Sequence, residues 1–253
     1  MLGLGNTALQ QTNKQQFYNQ GSLSFDGTDQ DVLLDSFAND VLSGAIRANT
    51  TSFSISAWFR VGAVSATVTI FRAMAGTDTN NMVNLFYHNG STQMGFTTKF
   101  GGTANQVRSG NTDFKDDGLW HHVVGTVDAS TDETVLWVDG AKQQDVEEGI
   151  GTLSAGITKA SIGSNTGGGS FYLGEIDEVA MWSRKITDSE IAILYNDAGL
   201  PDDKAIEIKN HPLLYAECIA HFRFEEKKGD FAINEFGEIA TIRNEPTYSR
   251  LHP

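Results

Sequence analysis

Three groups of residues bring functional groups together at spacings that invite chemistry. The first is Glu175-Ile-Asp177-Glu178. On a regular strand, alternation places Glu175 and Asp177 on one face and Glu178 on the other. Two carboxyls about 5–5.5 Å apart can cleave a glycosidic bond with retention, so hydrolysis is the chemistry to test here. The second is His121-His122, adjacent in a β-rich run, whose rings must face opposite sides. No H-x-H, H-E-x-x-H or Cys/His zinc spacing occurs, and no G-x-S-x-G elbow supports a serine nucleophile. The third is a set of acid- and Asn-rich loops: 76–81 (GTDTNN), 113–118 (DFKDDG) and 128–133 (DASTDE). They offer hard oxygens of the kind Ca²⁺ requires, or are solvated turns; EF-hand spacing is absent. Cys218, the only cysteine, lies beside Glu217 in LLYAECIAHF, which reads as a buried inert thiol rather than an electropositive, reactive one.

The elements that must position these groups are β-strands. Phe53, Ile55, Ala57, Phe59 and Val61 alternate with Ser54, Ser56, Trp58 and Arg60, a period-two pattern with an apolar face and a mostly polar one. Residues 92–100 repeat it, and β-rich runs occupy 66–72, 82–88, 119–128, 133–139, 157–163 and 171–182. Asp139-Gly140 is a two-residue hairpin turn, and the Gly-rich breaks at 101–102 and 167–169 read as loops. So many short strands with turns between them predict a two-sheet antiparallel sandwich, all-β. One helix is expected near 187–198. Thr187-Asp188-Ser189-Glu190 forms a capping box, Ile191, Leu194 and Tyr195 give the apolar stripe, and Gly199 with Pro201 closes it.

With 253 residues, 40% hydrophobic and 20% charged, the chain can bury one sizeable core. A net charge of −14 repels nucleic-acid phosphates and anionic lipid surfaces, and no basic cluster rises above that background. No apolar run is long enough to span a bilayer, so neither nucleic acid nor membrane insertion is expected. A single cysteine allows no intrachain disulfide, which suits synthesis in a reducing cytosol. The start, MLGLGNTALQQTNKQQ, has no basic n-region and is a poor secretory signal. Residues 1–20, rich in Gln and Asn, read as an arm or linker.

The blocks SLSFDG (22–27), FSISAW (53–58), WHHVVGTVD (120–128), WVDG (137–140), GEIDEV (174–179) and the closing helix resemble, in order, the laminin G-like, concanavalin A-like jelly rolls. The resemblance covers about 22–199. It implies a two-sheet jelly roll used for glycan or protein binding, often with one Ca²⁺, in bacterial surface proteins and phage virion proteins. A fold so widely reused does not fix function. By resemblance the metal positions are Asp26, the Gly27 carbonyl and Asp177, for one structural Ca²⁺; the alternative is that both carboxylates only hold loops. Ligand binding is assigned to Trp58, Asp78, Asn80 and Asn81. Trp58, like Tyr87, Tyr172 and Trp182, either stacks a sugar or packs as framework.

The same fold houses laminarinase-type glucanases, whose motif is E-x-D-x-E or one residue longer with a bulge. Here the second acid position falls on Val179, or on Ala180 if the strand bulges. No enzyme is therefore expected. The tail, 213–248, resembles the segment that usually precedes the FDG block, so its strand either completes the sandwich in cis, enters a neighbouring chain, or packs as an appendage. The expected function is a non-catalytic virion structural protein of a phage, as decoration, tail fibre or adhesion subunit, at the virion surface or tail. Its partners would be copies of itself, other virion proteins and host glycans. The alternative is a secreted or cell-surface bacterial carbohydrate-binding module.

Overall fold

The computed structural model describes residues 21–46, 52–110, 112–151, 154–166, 168–196, 206–226, 230–237 and 239–249. The expected arm, 1–20, lies outside them, as do Gly199 and Pro201. The strands are β1 (Ser22–Asp26), β2 (Asp31–Leu33), β3 (Phe53–Val61), β4 (Val68–Ala75), β5 (Asp78–His88), β6 (Gln93–Phe100), β7 (Thr103–Arg108) and β8 (His121–Asp128). They continue with β9 (Glu133–Val138), β10 (Ala141–Glu148), β11 (Lys159–Ile162), β12 (Leu173–Trp182), β13 (Cys218–Phe222), β14 (Phe231–Ile233), β15 (Ile239–Arg243) and β16 (Thr247–Ser249). Sheet I runs β10-β9-β8-β3-β12-β1-β16, and sheet II runs β14-β15-β2-β11-β4-β5-β6-β7. The named strands pair antiparallel, and the two sheets form a sandwich, as the alternation predicts.

The core lies between the sheets. Phe53, Ile55, Ala57 and Phe59 of β3 face Leu85, Tyr87, Phe96 and their neighbours from sheet II in one apolar cluster. The helical segments Asp35–Phe37, Ala38–Leu42 and Ser43–Ala45, unmarked by any sequence pattern, contribute Phe37, Ala38 and Leu42 to it. The hairpin at Asp139-Gly140 has both residues at positive φ (49° and 71°), the mirror-image turn that matches strand twist.

A second apolar cluster lies outside sheet I. Val124, Val135, Trp137, Ala180 and Trp182 are covered by Ile191 and Leu194 of the helix Asp188–Tyr195 and by Ile208 and Leu214. The polar face expected for β3 is therefore not solvated: Ser54, Ser56 and Trp58 are buried. Ser54 uses its hydroxyl to fasten the cover, donating to Arg184 O at 2.9 Å and accepting from Ile186 N at 2.9 Å. The capping box forms as predicted, with Glu190 N donating to Thr187 Oγ1 at 3.3 Å and Thr187 N to the Glu190 carboxylate at 2.7 Å. The helix ends earlier than expected, at Asn196 in the left-handed conformation (φ 47°), a role that Asn fills more readily than most residues.

The C-terminal strands pair within the same chain. β13 runs along the second half of β12, on the edge whose first half is taken by β1. β16 extends β1, and the β14–β15 hairpin adds to β2. Of the three fates the sequence left open for the tail, the structure shows pairing in cis. Arg243 of β15 anchors it to Asp31, which is fully buried and also accepts from Ser164 Oγ at 2.6 Å; the Arg243 Nε contact is 2.7 Å. Removing the guanidinium strands a buried carboxylate. Arg243→Ala is expected to cost about 2 kcal/mol in urea denaturation, less than a fully buried pair because the guanidinium is partly in water. A cost below about 0.5 kcal/mol, the level of an ordinary surface change, would show that the pair does not hold the tail.

Candidate functional site

Strand β12 decides where the second acid position of the glucanase motif falls. Its register against β3 slips between Asp177 (opposite Trp58) and Ala180 (opposite Ser56), a β-bulge with Glu178 at φ 48°. Val179 and Met181 then enter the core between the sheets, while Glu175, Asp177, Ala180 and Trp182 lie opposite outward-facing residues of β3. The position that would need a second cooperating acid thus holds a methyl group. Glu175 instead faces Arg60 at 3.7 Å, and burial raises its carboxyl pKa against the opposing pull of that arginine.

Glu178 departs from the regular-strand expectation. The bulge brings its carboxylate into a buried ionic network with His221, Arg223 and Glu235. His221 contacts Glu178 through Nε2 and Glu235 through Nδ1 at 3.2 Å. Arg223 reaches Glu178 at 3.3 Å, Glu235 at 3.2 Å and Glu225 at 3.7 Å. Ionised carboxylates only accept, so both ring nitrogens must donate and His221 is an imidazolium. Burial alone would lower the His221 pKa, but Glu178 and Glu235 outweigh it and raise it. Glu235, pushed up by burial and down by His221 and Arg223, settles at about 2.

The adjacent histidines do separate jobs. His121 lies between Asp139 (2.8 Å) and Asp117 (2.9 Å), a pair of acceptors that again calls for imidazolium. His122 is fully buried against Trp58 and Tyr195, with Nε2 2.8 Å from Ser56 Oγ and no hydrogen-bond partner at Nδ1. Desolvation lowers its pKa to about 3, so it is neutral. Without an orienting acid on Nδ1, Ser56–His122 lacks the third group of a triad. Cys218 is buried and pushed up to about 12 by desolvation, as expected of an inert thiol.

The proposed metal positions are not brought together. Asp26 pairs with Leu173 and Asp177 lies four residues further along β12, so about 13 Å of strand separates the two backbones. Asp177 accepts from Glu178 N at 2.8 Å and Asp26 from Thr28 N at 2.8 Å, each holding its own local backbone. One Ca²⁺ with ligands at 2.3–2.6 Å does not fit that pair. Asp26 and Gly27 do line a cleft of about 290 Å³ with Val64, Val68 and Phe171. Among the described residues no cluster of three or more His, Cys, Asp or Glu is placed to hold a metal.

The assigned ligand residues divide. Trp58 is covered, stacked at 6.0 Å on Tyr195, and cannot act as an open platform. Asn81 is buried and knots loops, donating to Asp78 Oδ2 (2.6 Å) and accepting from Gly101 N (3.1 Å) and Ser154 N (2.8 Å). Asp78 also accepts from Asn80 N at 2.8 Å. These groups are consumed in fastening the start of β5; Asn80 is exposed beside them.

Neither apolar cluster covers the outer face of sheet II among the described residues, although Ser161 and Thr97 on it are buried, Ser161 beneath the 164–166 segment. Register places Ser161, Arg72, Asn84, Thr97 and Gln106 side by side across β11, β4, β5, β6 and β7. Their neighbours Ala73, Val83, Leu85, Phe96 and Val107 point into the core, so this row points out. Phe86 lies beside it, its ring over Gly95, where any Cβ would sit 2.4 Å from the ring. The row spans about 14 Å from β4 to β7 and carries donors and acceptors on a fixed lattice. The sequence reading missed it because the members come from separate strands. The available signal was Arg72 inside the apolar run VTIFRAMA and Asn84 inside MVNLFYH.

A family model described as the concanavalin A-like lectin/glucanases superfamily matches residues 17–192. The chain belongs to this superfamily. The sequence matches none of the curated proteins with which it was compared. Several solved structures share the superfamily sandwich. One is a Bacteroides ovatus protein taken to bind carbohydrate: TM-score 0.61, 15% identity, covering 92% of this chain and 60% of that one. This chain thus spans under two thirds of that protein. Another is the CBM40 module of the Ruminococcus gnavus IT-sialidase bound to α2,3-sialyllactose, with TM-score 0.54, 15% identity, and coverage of 69% and 96%. A third is a heptameric SAP-like pentraxin from Limulus polyphemus, with TM-score 0.52, 14% identity, and coverage of 89% and 96%. At these identities the likeness is one of fold.

Within this superfamily sandwich, the His221 network predicts an unusual pH profile. A raised histidine contributes fully below its ordinary 6.5 and loses that contribution as pH climbs through the raised value. Glu235, depressed to about 2, contributes fully above 4.5 and fails only in strong acid. The stability gap between wild type and His221→Gln, measured by urea denaturation, should be widest between pH 4.5 and 6.5 and shrink in alkali. A gap that stays constant to high pH would mean that His221 is not charged.

Proposed function

We propose that the protein is a non-catalytic saccharide-recognition module that holds a glycan against the outer face of sheet II. The observation that carries this reading is the row Arg72–Asn84–Thr97–Gln106 on the one broad sheet face left without an apolar cover. Asn84 Oδ1 and Arg72 Nε in that row are buried and have no hydrogen-bond partner. Such atoms cost free energy unless something completes them. A saccharide hydroxyl both donates and accepts and can do so. Non-catalytic action is supported by Ala180 at the place of the second acid. The likeness to a sialyllactose-bound module and to a protein taken to bind carbohydrate fits the reading.

Virion assembly at a particle surface or tail, as a phage adhesion or decoration subunit, is the second reading. It is favoured by the β14–β15 hairpin, where Ile233 and Ile239 pair across and are 51% and 64% exposed, with Phe231 exposed beside them. Such a patch suits a protein neighbour. The two readings are compatible in an adhesion subunit, and binding tests separate them.

On a glycan array the folded monomer should bind saccharides with micromolar affinity. Asn84→Ala with Gln106→Ala should weaken binding at least tenfold, about 1.4 kcal/mol, while Glu175→Gln leaves it unchanged. EDTA should have no effect, since the row needs no metal. Absence of any saccharide binding, together with concentration-dependent oligomers, would overturn recognition in favour of assembly.

A further inference from the structure

Resting on that reading of the sheet II face, we infer that the saccharide it takes is acidic and that Arg72 is the residue that selects for a carboxylate or sulfate group. Arg72 sits in the middle of the face, between Ser161 and Asn84. Among the described residues its one side-chain hydrogen bond runs from Nη2 to the Met82 thioether at 3.1 Å, a weak acceptor. Its Nε is buried without a partner. No carboxylate pairs with it among the described residues, although the chain carries 32 acidic residues against 18 basic ones. Burial lowers its pKa, with no opposing charge to offset that cost.

A guanidinium taken partly out of water and left unpaired destabilises the fold, unless an anion arrives to share it. The planar fork suits a bidentate carboxylate or sulfate. The surroundings point the same way. Lys159 lies across from Met74, one step along β11 from Ser161, and Arg108 lies across from Gly95 on the same face. Arg108 is held by Gln106 Oε1 (2.8 Å) and Ser91 Oγ (2.9 Å), both neutral. Lys99, across from Met82, is closer to an acid, Asp78. In a chain of net charge −14, this face gathers cations that lie far apart in sequence. An acidic saccharide would be drawn here while the rest of the surface repels it. Asn84 would then read a neutral hydroxyl, while Gln106, bonded through Nε2 to Thr97 Oγ1 at 2.9 Å and through Oε1 to Arg108 at 2.8 Å, frames it.

The test uses an array of matched pairs, each a neutral oligosaccharide beside the same oligosaccharide carrying a carboxylate or a sulfate. The full chain should bind the acidic members at least tenfold more tightly. Arg72→Gln should abolish that preference with the thermal midpoint unchanged or higher, and Arg72→Lys should restore part of it. Equal binding of neutral and acidic members, or acid binding untouched in a folded Arg72→Gln protein, would overturn the inference while leaving saccharide recognition standing. If no member binds, recognition fails and this inference fails with it. Should Arg72→Gln not fold, Arg108→Gln with Lys159→Gln decides: a reduced preference supports the inference and an unchanged one overturns it.

Discussion

Strand β12 is bonded along both edges and buried on both faces for most of its length, and a single inserted residue makes that possible. β3 accompanies one edge throughout, while β1 and then β13 share the other. Where the partners change, the bulge puts Glu178 at φ 48° and points its carboxylate at His221 and Arg223. A left-handed conformation is unfavourable for glutamate and persists only where the surroundings fix it. Here the ionic network fixes it. Four charged groups out of bulk water would be costly singly; together each carboxylate meets a donor, and the β13 segment is tied to the sandwich.

Once the tail is held there, the outer side of sheet I closes. Trp182 donates to Leu214 O at 2.7 Å, Arg184 holds Glu190 at 2.7 Å and Ala216 O at 2.9 Å, and the capped helix packs over β8 and β9. The stretch that carries Asp177 and His122 is covered, while Glu175, nearer the start of β12, lines a cleft of about 250 Å³ with Arg60 and Asp116. Ser54 finds its partners in the 184–186 segment and Asp31 finds one in Arg243. Buried side-chain atoms without a hydrogen-bond partner include Arg72 Nε and Asn84 Oδ1 on sheet II as well as His122 Nδ1 and Thr126 Oγ1 on sheet I.

Local patterns were legible in the sequence because they are set by neighbours along the chain. Alternation in 53–61 gave β3, Asp139-Gly140 gave its hairpin, and Thr187–Glu190 gave its cap. The order of family blocks gave the sandwich. What escaped was set by register. Asp26 and Asp177 sit in blocks on paired strands, yet pairing offsets them by four residues, so shared membership in a family pattern did not make a shared site. The burial of the mostly polar face of β3, and the choice between sugar stacking and framework packing for Trp58, stayed open because nothing local announces that a segment more than a hundred residues later covers it. The bulge was left open in the sequence, with Val179 or Ala180 as the second acid position, because Glu178 is not a glycine and tertiary contacts rather than propensity hold its φ. The cation-bearing row on sheet II needs five strands in register before it exists at all.

The central claim is that recognition occurs on the outer face of sheet II. Amide chemical-shift mapping by NMR during titration with a bound saccharide locates the contact directly. The account predicts perturbations centred on Arg72, Asn84, Thr97 and Gln106, with β12 and the helix Asp188–Tyr195 silent. Perturbations gathered instead around Asp26, Gly27 and Phe171 at the loop end, with the sheet II row unmoved, would contradict it.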